Sequence, residues 1–111
     1  MFNRKYVAPM TLMIDPQRMK KSSAEAAELL AAMANANRLL ILCHLSNGEL
    51  PVLELADRVG MSQSALSQQL AKLRALKLVT TRREGRAIKY RVASPEVERL
   101  LQTLYEMYCA C

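Results

Sequence analysis

The chain has 111 residues, about half of them apolar, and a formal net charge of +6. That length holds one domain with a modest core. The longest uninterrupted apolar run is Leu39–Cys43, far short of the roughly 18 residues a membrane span needs, so a membrane protein is excluded. Arg4 and Lys5 are followed by no apolar segment of the signal-peptide kind, and three cysteines are too few for a secreted disulfide framework, so the expected compartment is the cytoplasm.

Residues 1–16 lack periodicity, carry Pro9 and Pro16, and read as a flexible N-terminal arm ahead of a single domain at 17–111. From Gln17 to Ala34 a helical period aligns Ala24, Ala27, Leu30, Ala31 and Ala34 on one face, with Glu25 and Glu28 on its flank. A face of small residues permits close helix packing. Asn35 and Asn37 offer caps for a second helix to about Leu45, and its RLLILCHL run, apolar nearly all round, predicts burial. Ser46-Asn47-Gly48 ends it. Pro51 fits the first turn of a third helix, VLELADRVG, which stops at Gly60.

Ser62 is the natural N-cap of a fourth helix, MSQSALSQQLAKLRAL. On a helical wheel Leu66, Leu70 and Leu73 gather on one side with Gln63 near its edge, while Ser64, Ser67, Gln68, Ala71 and Lys72 fall on the other. A solvated face usually mixes Glu with Lys; this one offers hydroxyls, amides, a methyl and a cation without a carboxylate. Such groups can approach a polyanion and hydrogen-bond base edges, and the helix N-terminus adds free N–H groups for a phosphate. An ordinary polar surface helix fits this segment alone equally well. The third and fourth helices together make a helix-turn-helix.

Past Lys77 the period shortens to two: Val79 and Thr81 on one strand, Ile88, Tyr90 and Val92 on the next, with Glu84-Gly85 turning between them. Two strands are marginal in water, so the hairpin is expected to pack on the helices and project its arginine tip. Residues 62–92 hold Lys72, Arg74, Lys77, Arg82, Arg83, Arg86, Lys89 and Arg91 against Glu84 alone, so the chain's entire positive excess resides there and the remainder is slightly acidic. That concentration is the electrostatic footprint of a phosphate-binding surface. A last helix starts at Ser94-Pro95-Glu96, with Val97, Leu100, Leu101, Leu104, Tyr105 and Tyr108 in one stripe that either caps the core or meets a second subunit.

The expected fold is mainly α with a small β-hairpin, in the order α-α-α-α-β-β-α. That order, with ANANRLLILCHL, ELPVLELADRVGMSQSALSQQLAKLRALKLV and RREGRAIKYRV, resembles the ArsR/SmtB family of bacterial winged-helix regulators over roughly residues 22–109. The resemblance implies a homodimer through the first and last helices, with the fourth helix in the major groove of double-stranded operator DNA and the wing on the flanking backbone or minor groove. Carried onto this chain, Gln63, Ser64, Ser67 and Gln68 are the base-side candidates, Lys72 the phosphate holder, and Arg82, Arg83 and Arg86 the wing contacts.

Family members differ mainly in what they sense. Arsenic- and cadmium-type sensors carry Cys-x-Cys in an ELCVCDL-like third helix; here ELPVLEL puts Pro51 and Leu53 at those places. Zinc- and nickel-type sensors use Asp and His along the final helix, and SPEVERLLQTLYEMYCAC contains no histidine, so no metal site and no cofactor are expected. Cys43 in the second helix and Cys109 at the end of the last are similar in position to the dithiol branch of the family, which responds to reactive sulfur species or oxidants by forming a disulfide or polysulfide bridge. Their adjacency is implied by the resemblance alone. Read without it, Cys43 is a buried core cysteine. His44 points about 100° away from Cys43 on the helix and is given no role; Cys111 is a spare thiol. Competing readings are a copper- or zinc-responsive regulator using Cys43, Cys109, Cys111 and His44, and, more remotely, a thiol enzyme, for which no Cys-x-x-Cys or phosphate-cradling glycine loop is present.

Overall fold

A computed structural model of the chain describes residues 13–109. Most of the expected N-terminal arm, and Cys111, lie outside those residues. Asp15 caps the first helix, α1 (Pro16–Met33), by accepting a hydrogen bond from the Gln17 backbone N–H at 2.9 Å. Pro16, expected in the arm, is instead the first helical residue, where a proline lacks nothing the helix needs. Asn35 accepts from the Arg38 N–H at 3.1 Å and starts α2 (Ala36–Ser46). The two helices meet at a 92° bend. The described residues contain no single helix long and apolar enough to cross a membrane.

Beyond α2 the chain departs from expectation. Leu50–Pro51 form a short strand, β1, antiparallel to the wing, so Pro51 is extended (φ −73°, ψ 156°) and precedes α3 (Val52–Val59) instead of entering its first turn. An edge strand tolerates a proline because its outer side has no ladder to complete. The wing strands β2 (Val79–Glu84) and β3 (Ala87–Val92) complete a three-stranded sheet in the order β1-β3-β2, one strand more than the expected hairpin.

Helix α4 (Gln63–Ala75) begins as expected at Ser62, whose hydroxyl accepts from the Ala65 N–H at 3.1 Å. Its far end closes with paired return bonds, Leu78 N–H to Leu73 C=O at 3.0 Å and Lys77 N–H to Arg74 C=O at 2.9 Å, which place Lys77 in the left-handed region (φ 63°). Helix α5 (Pro95–Tyr108) is capped by Ser94. The core runs through all of these: Ile41, Leu42, Leu55, Leu66, Leu70, Leu73, Val79 and Val97 are fully buried. Truncating any of these leucines to alanine would cost about 2–5 kcal/mol.

One face differs from the sequence reading, that of α2, and the small-residue face of α1 stays uncovered within one copy of the chain. In α1 the inward residues are Ala26, Leu29, Ala32 and Met33, while the small-residue face of Ala24, Ala27, Leu30, Ala31 and Ala34 is exposed. In α2 the buried residues are Ile41, Leu42 and Leu45, whereas Leu40 and Cys43 are exposed, so the helix is not buried all round. A run apolar on every side does not by itself say which side the domain covers.

Candidate nucleic-acid interface and thiol pair

The surface of α4 is held by its own core. Leu66, Leu70 and Leu73 anchor it against Leu55 and Ala56 of α3, and Gly60 (φ 70°) turns the chain between the two helices. Gln63, near the edge of that side, and Ser64, Ser67, Gln68 and Lys72, on the opposite one, are all exposed. None of these side chains is engaged in a hydrogen bond or ion pair among the described residues. The face therefore presents donors and acceptors free to be spent on another molecule, at the N-terminal end of a helix of 13 residues that also carries a positive dipole end.

In the wing, Glu84 pairs with Ala87 across a two-residue turn of Gly85 (φ 63°) and Arg86. Arg83 and Arg86 are exposed and have no carboxylate partner among the described residues. Arg82 is placed differently from Arg83 and Arg86. Its guanidinium donates to both carboxylate oxygens of Glu49 and, at 2.9 Å, to Glu84, which also faces the Lys89 ammonium at 3.4 Å. The guanidinium beside them holds the Glu49 and Glu84 carboxyls below the usual range. Arg82 is thus committed within the protein. Glu49 was given no role from sequence; its partner lies on a strand well downstream, and no local pattern signals such a pair.

Cys43 in α2 and Cys109 at the end of α5 belong to two helices that pack on each other. Helix α2 docks on α5, with Ser46 donating a hydrogen bond to Glu98 at 3.0 Å beside the buried Ile41, Leu45, Val97 and Leu101. Cys43 lies on the exposed side of α2 and Cys109 caps the end of α5, also exposed. Partial burial pushes the Cys43 thiol above its ordinary value, and the nearby charge of a Cys109 thiolate pushes it further the same way. Cys43 is exposed and is not the buried core cysteine that its apolar helix implied. No group of three or more His, Cys, Asp or Glu side chains that could hold a metal ion occurs among the described residues. An open groove of about 570 Å³ between α1 and the β3–α5 junction is lined by none of the predicted site residues.

Comparison with known proteins agrees with the fold. Residues 35–81 match the model of bacterial regulatory proteins of the arsR family. The transcriptional activator HlyU of Vibrio cholerae is 50% identical over 102 residues, covering 92% of this chain and 91% of HlyU. The chain belongs to the arsR family of bacterial regulatory proteins. By that membership it is a DNA-binding transcriptional regulator with a winged helix-turn-helix fold. Among solved structures, reduced HlyU from the same organism superposes on this ArsR-family chain with a TM-score of 0.78 at 50% identity, covering 84% of this chain and 98% of HlyU. The transcriptional repressor BigR from Xylella fastidiosa gives 0.82 at 37% identity, covering 88% and 100%. These relatives are regulators and not enzymes.

Proposed function

We propose that this ArsR-family chain acts in the cytoplasm as a homodimeric, sequence-specific operator-binding regulator whose grip on DNA is released when Cys43 and Cys109 become covalently joined. The observation that carries the reading is the packing of α2 on α5, which sets two exposed thiols near enough for the charge of one to raise the proton affinity of the other. Gln63, Ser64, Ser67 and Gln68 read base edges, Lys72 holds a phosphate, and Arg83 and Arg86 hold the backbone beside the wing.

The chemistry follows from the pair. Burial disfavours the Cys43 thiolate, so the first attack is assigned to Cys109. With peroxide, the Cys109 thiolate displaces hydroxide to become a sulfenic acid; the Cys43 sulfur then attacks that sulfur and water leaves. With a low-molecular-weight persulfide, Cys109 takes the outer sulfur and releases the thiol, and attack by Cys43 on the inner sulfur expels hydrogen sulfide. Either route oxidises the pair by two electrons. The bond ties α2 to the end of α5. In a dimer whose α4 helices must sit about 34 Å apart to meet successive major grooves, a strain that shifts that spacing is worth about 1–3 kcal/mol of coupling, or roughly 5- to 150-fold in DNA affinity.

The test is to titrate reduced protein onto labelled DNA from the promoter region beside its own coding sequence, then repeat after a persulfide donor, after peroxide and after copper or zinc salts, with intact mass read alongside. Release accompanied by loss of two hydrogens, with the mass of any retained sulfur added, and abolished by Cys43→Ser or Cys109→Ser, is the expected result. Release by one metal alone, with thiol treatments silent, would overturn it.

A further inference from the structure

Alternate residues of a strand share a face. The register sets Leu50 opposite Tyr90 and Tyr90 opposite Thr81 on the core side, and Pro51 opposite Lys89 and Lys89 opposite Arg82 on the other. Glu49, one residue before Leu50, continues the pattern onto this outer face. Its carboxylate reaches past β3 to β2, where Oε2 accepts from Arg82 Nε at 3.1 Å and Oε1 from Arg82 Nη2. That same Nη2 donates to Glu84 at 2.9 Å. A forked guanidinium–carboxylate pair is the strongest form of such a contact, and because Glu84 is shared with Lys89 at 3.4 Å, the fork to Glu49 supplies the main counter-charge of Arg82.

We infer that Glu49 is a specificity-determining residue, an internal counter-ion that withholds Arg82 from DNA phosphates and fixes the wing to the corner between α2 and β1. The inference rests on the DNA-binding reading above. Binding to any DNA sequence grows with the number of phosphates a protein neutralises, whereas operator binding also requires the wing and α4 to hold their relative position. Glu49 acts on both sides of that difference. It removes a cation from indiscriminate attraction, and it clamps β2, the strand that follows α4. Arg83 and Arg86, at the tip of the wing and without a carboxylate partner among the described residues, are left as its phosphate contacts.

The experiment measures binding of reduced full-length protein to a mixed-sequence 30-base-pair duplex, a probe of roughly three helical turns, and to the promoter fragment, each across a range of salt. Glu49→Gln is expected to steepen the salt dependence on mixed-sequence DNA by about 0.9 in log–log slope and to tighten that binding roughly fivefold at about 0.15 M salt. Promoter binding gains less, so the ratio of the two falls. Arg82→Gln leaves the wild-type slope unchanged, and adding it to Glu49→Gln restores that slope. Glu49→Ala repeats the test without an amide that could keep the fork, and thermal melts followed by circular dichroism establish that each variant is folded. A slope that drops by about 0.9 on Arg82→Gln alone would mean that Arg82 trades Glu49 for a phosphate on binding, and overturns the inference. So does an unchanged slope in both folded Glu49 variants while the wild type binds normally. Wild-type protein without salt-dependent DNA affinity would instead overturn the function itself.

Discussion

Cys43 on α2 and Cys109 at the end of α5, distant in sequence, are electrostatic neighbours: a thiolate on Cys109 raises the proton affinity of the Cys43 thiol. The relationship exists because α2 and α5 share the core through Ile41, Leu45, Val97 and Leu101 and are pinned at their surface by Ser46 and Glu98. A covalent bond at this place joins the helix that leads into the helix-turn-helix to the helix that closes the domain.

Removing Cys109 removes one of the two causes that hold Cys43 protonated. At a fixed pH between about 8 and 9, near the ordinary thiol value, Cys109→Ser is therefore expected to alkylate faster at Cys43 than the wild type, and its pH–rate profile should lie toward lower pH. Burial still keeps it above the ordinary range. In the wild type the neutral thiol is the form the fold favours, so this group's contribution to stability is present at neutral pH and lost as pH rises through the elevated value. Iodoacetamide labelling followed by mass spectrometry reads the rates. Identical profiles in the two proteins would remove the electrostatic contact.

The α4 face and the wing tip should separate in their effects on DNA. Gln68→Ala and Ser64→Ala are expected to weaken promoter binding by about 1–3 kcal/mol each while leaving mixed-sequence binding nearly unchanged. Arg83→Gln and Arg86→Gln should weaken both kinds of DNA alike and lower the salt slope by about 0.9 each. Fluorescence anisotropy across a salt series distinguishes the two classes. An α4 substitution that moves the slope, or a wing substitution that does not, would reassign that residue.

Much of this was legible before the structure. The leucine stripe of α4, its Ser62 cap, its polar face and the two-residue period of the wing are local patterns, and local patterns survive folding because burial and capping act within a few residues. Three features were not legible. Strand β1 is two residues long, too short to carry a period, and its proline pointed to a helix start. The pairing of Glu49 with Arg82 and the electrostatic influence of Cys109 on Cys43 link residues far apart in sequence, which a period of 3.6 or 2 does not encode.

Lys77 sits in the left-handed region at the end of α4, a conformation that costs a side chain bearing Cβ about 1 kcal/mol and a glycine almost nothing. The return bonds from Lys77 to Arg74 and from Leu78 to Leu73 use only backbone atoms, so Lys77→Gly keeps them. The variant is expected to be more stable by about 1 kcal/mol, which raises the Tm of a domain this size by roughly 4–8 °C. A melt that shows no gain would mean that the lysine side chain supplies a compensating contact.

The exposed face of α1 makes the strongest demand for a partner. Ala24, Ala27, Leu30 and Ala31 lie in the open, with Leu30 at 55% exposure, while Leu40 and, on α5, Tyr105 and Tyr108 are also uncovered. In the proposed dimer each copy would lay this surface against its mate, and a two-fold axis makes every substitution count twice. Replacing a buried leucine by glutamate forfeits about 1.5–3 kcal/mol of burial per copy before charge is considered. Leu30→Glu is therefore expected to weaken self-association by roughly 10²- to 10⁴-fold, doubling the figure per copy. Sedimentation velocity should report a monomer at micromolar concentration, still folded because Ala26, Leu29 and Met33 remain inward. Its promoter affinity should fall with the dimer, since one α4 reaches only half a site. A Leu30→Glu protein that sediments as a dimer would place the subunit contact elsewhere.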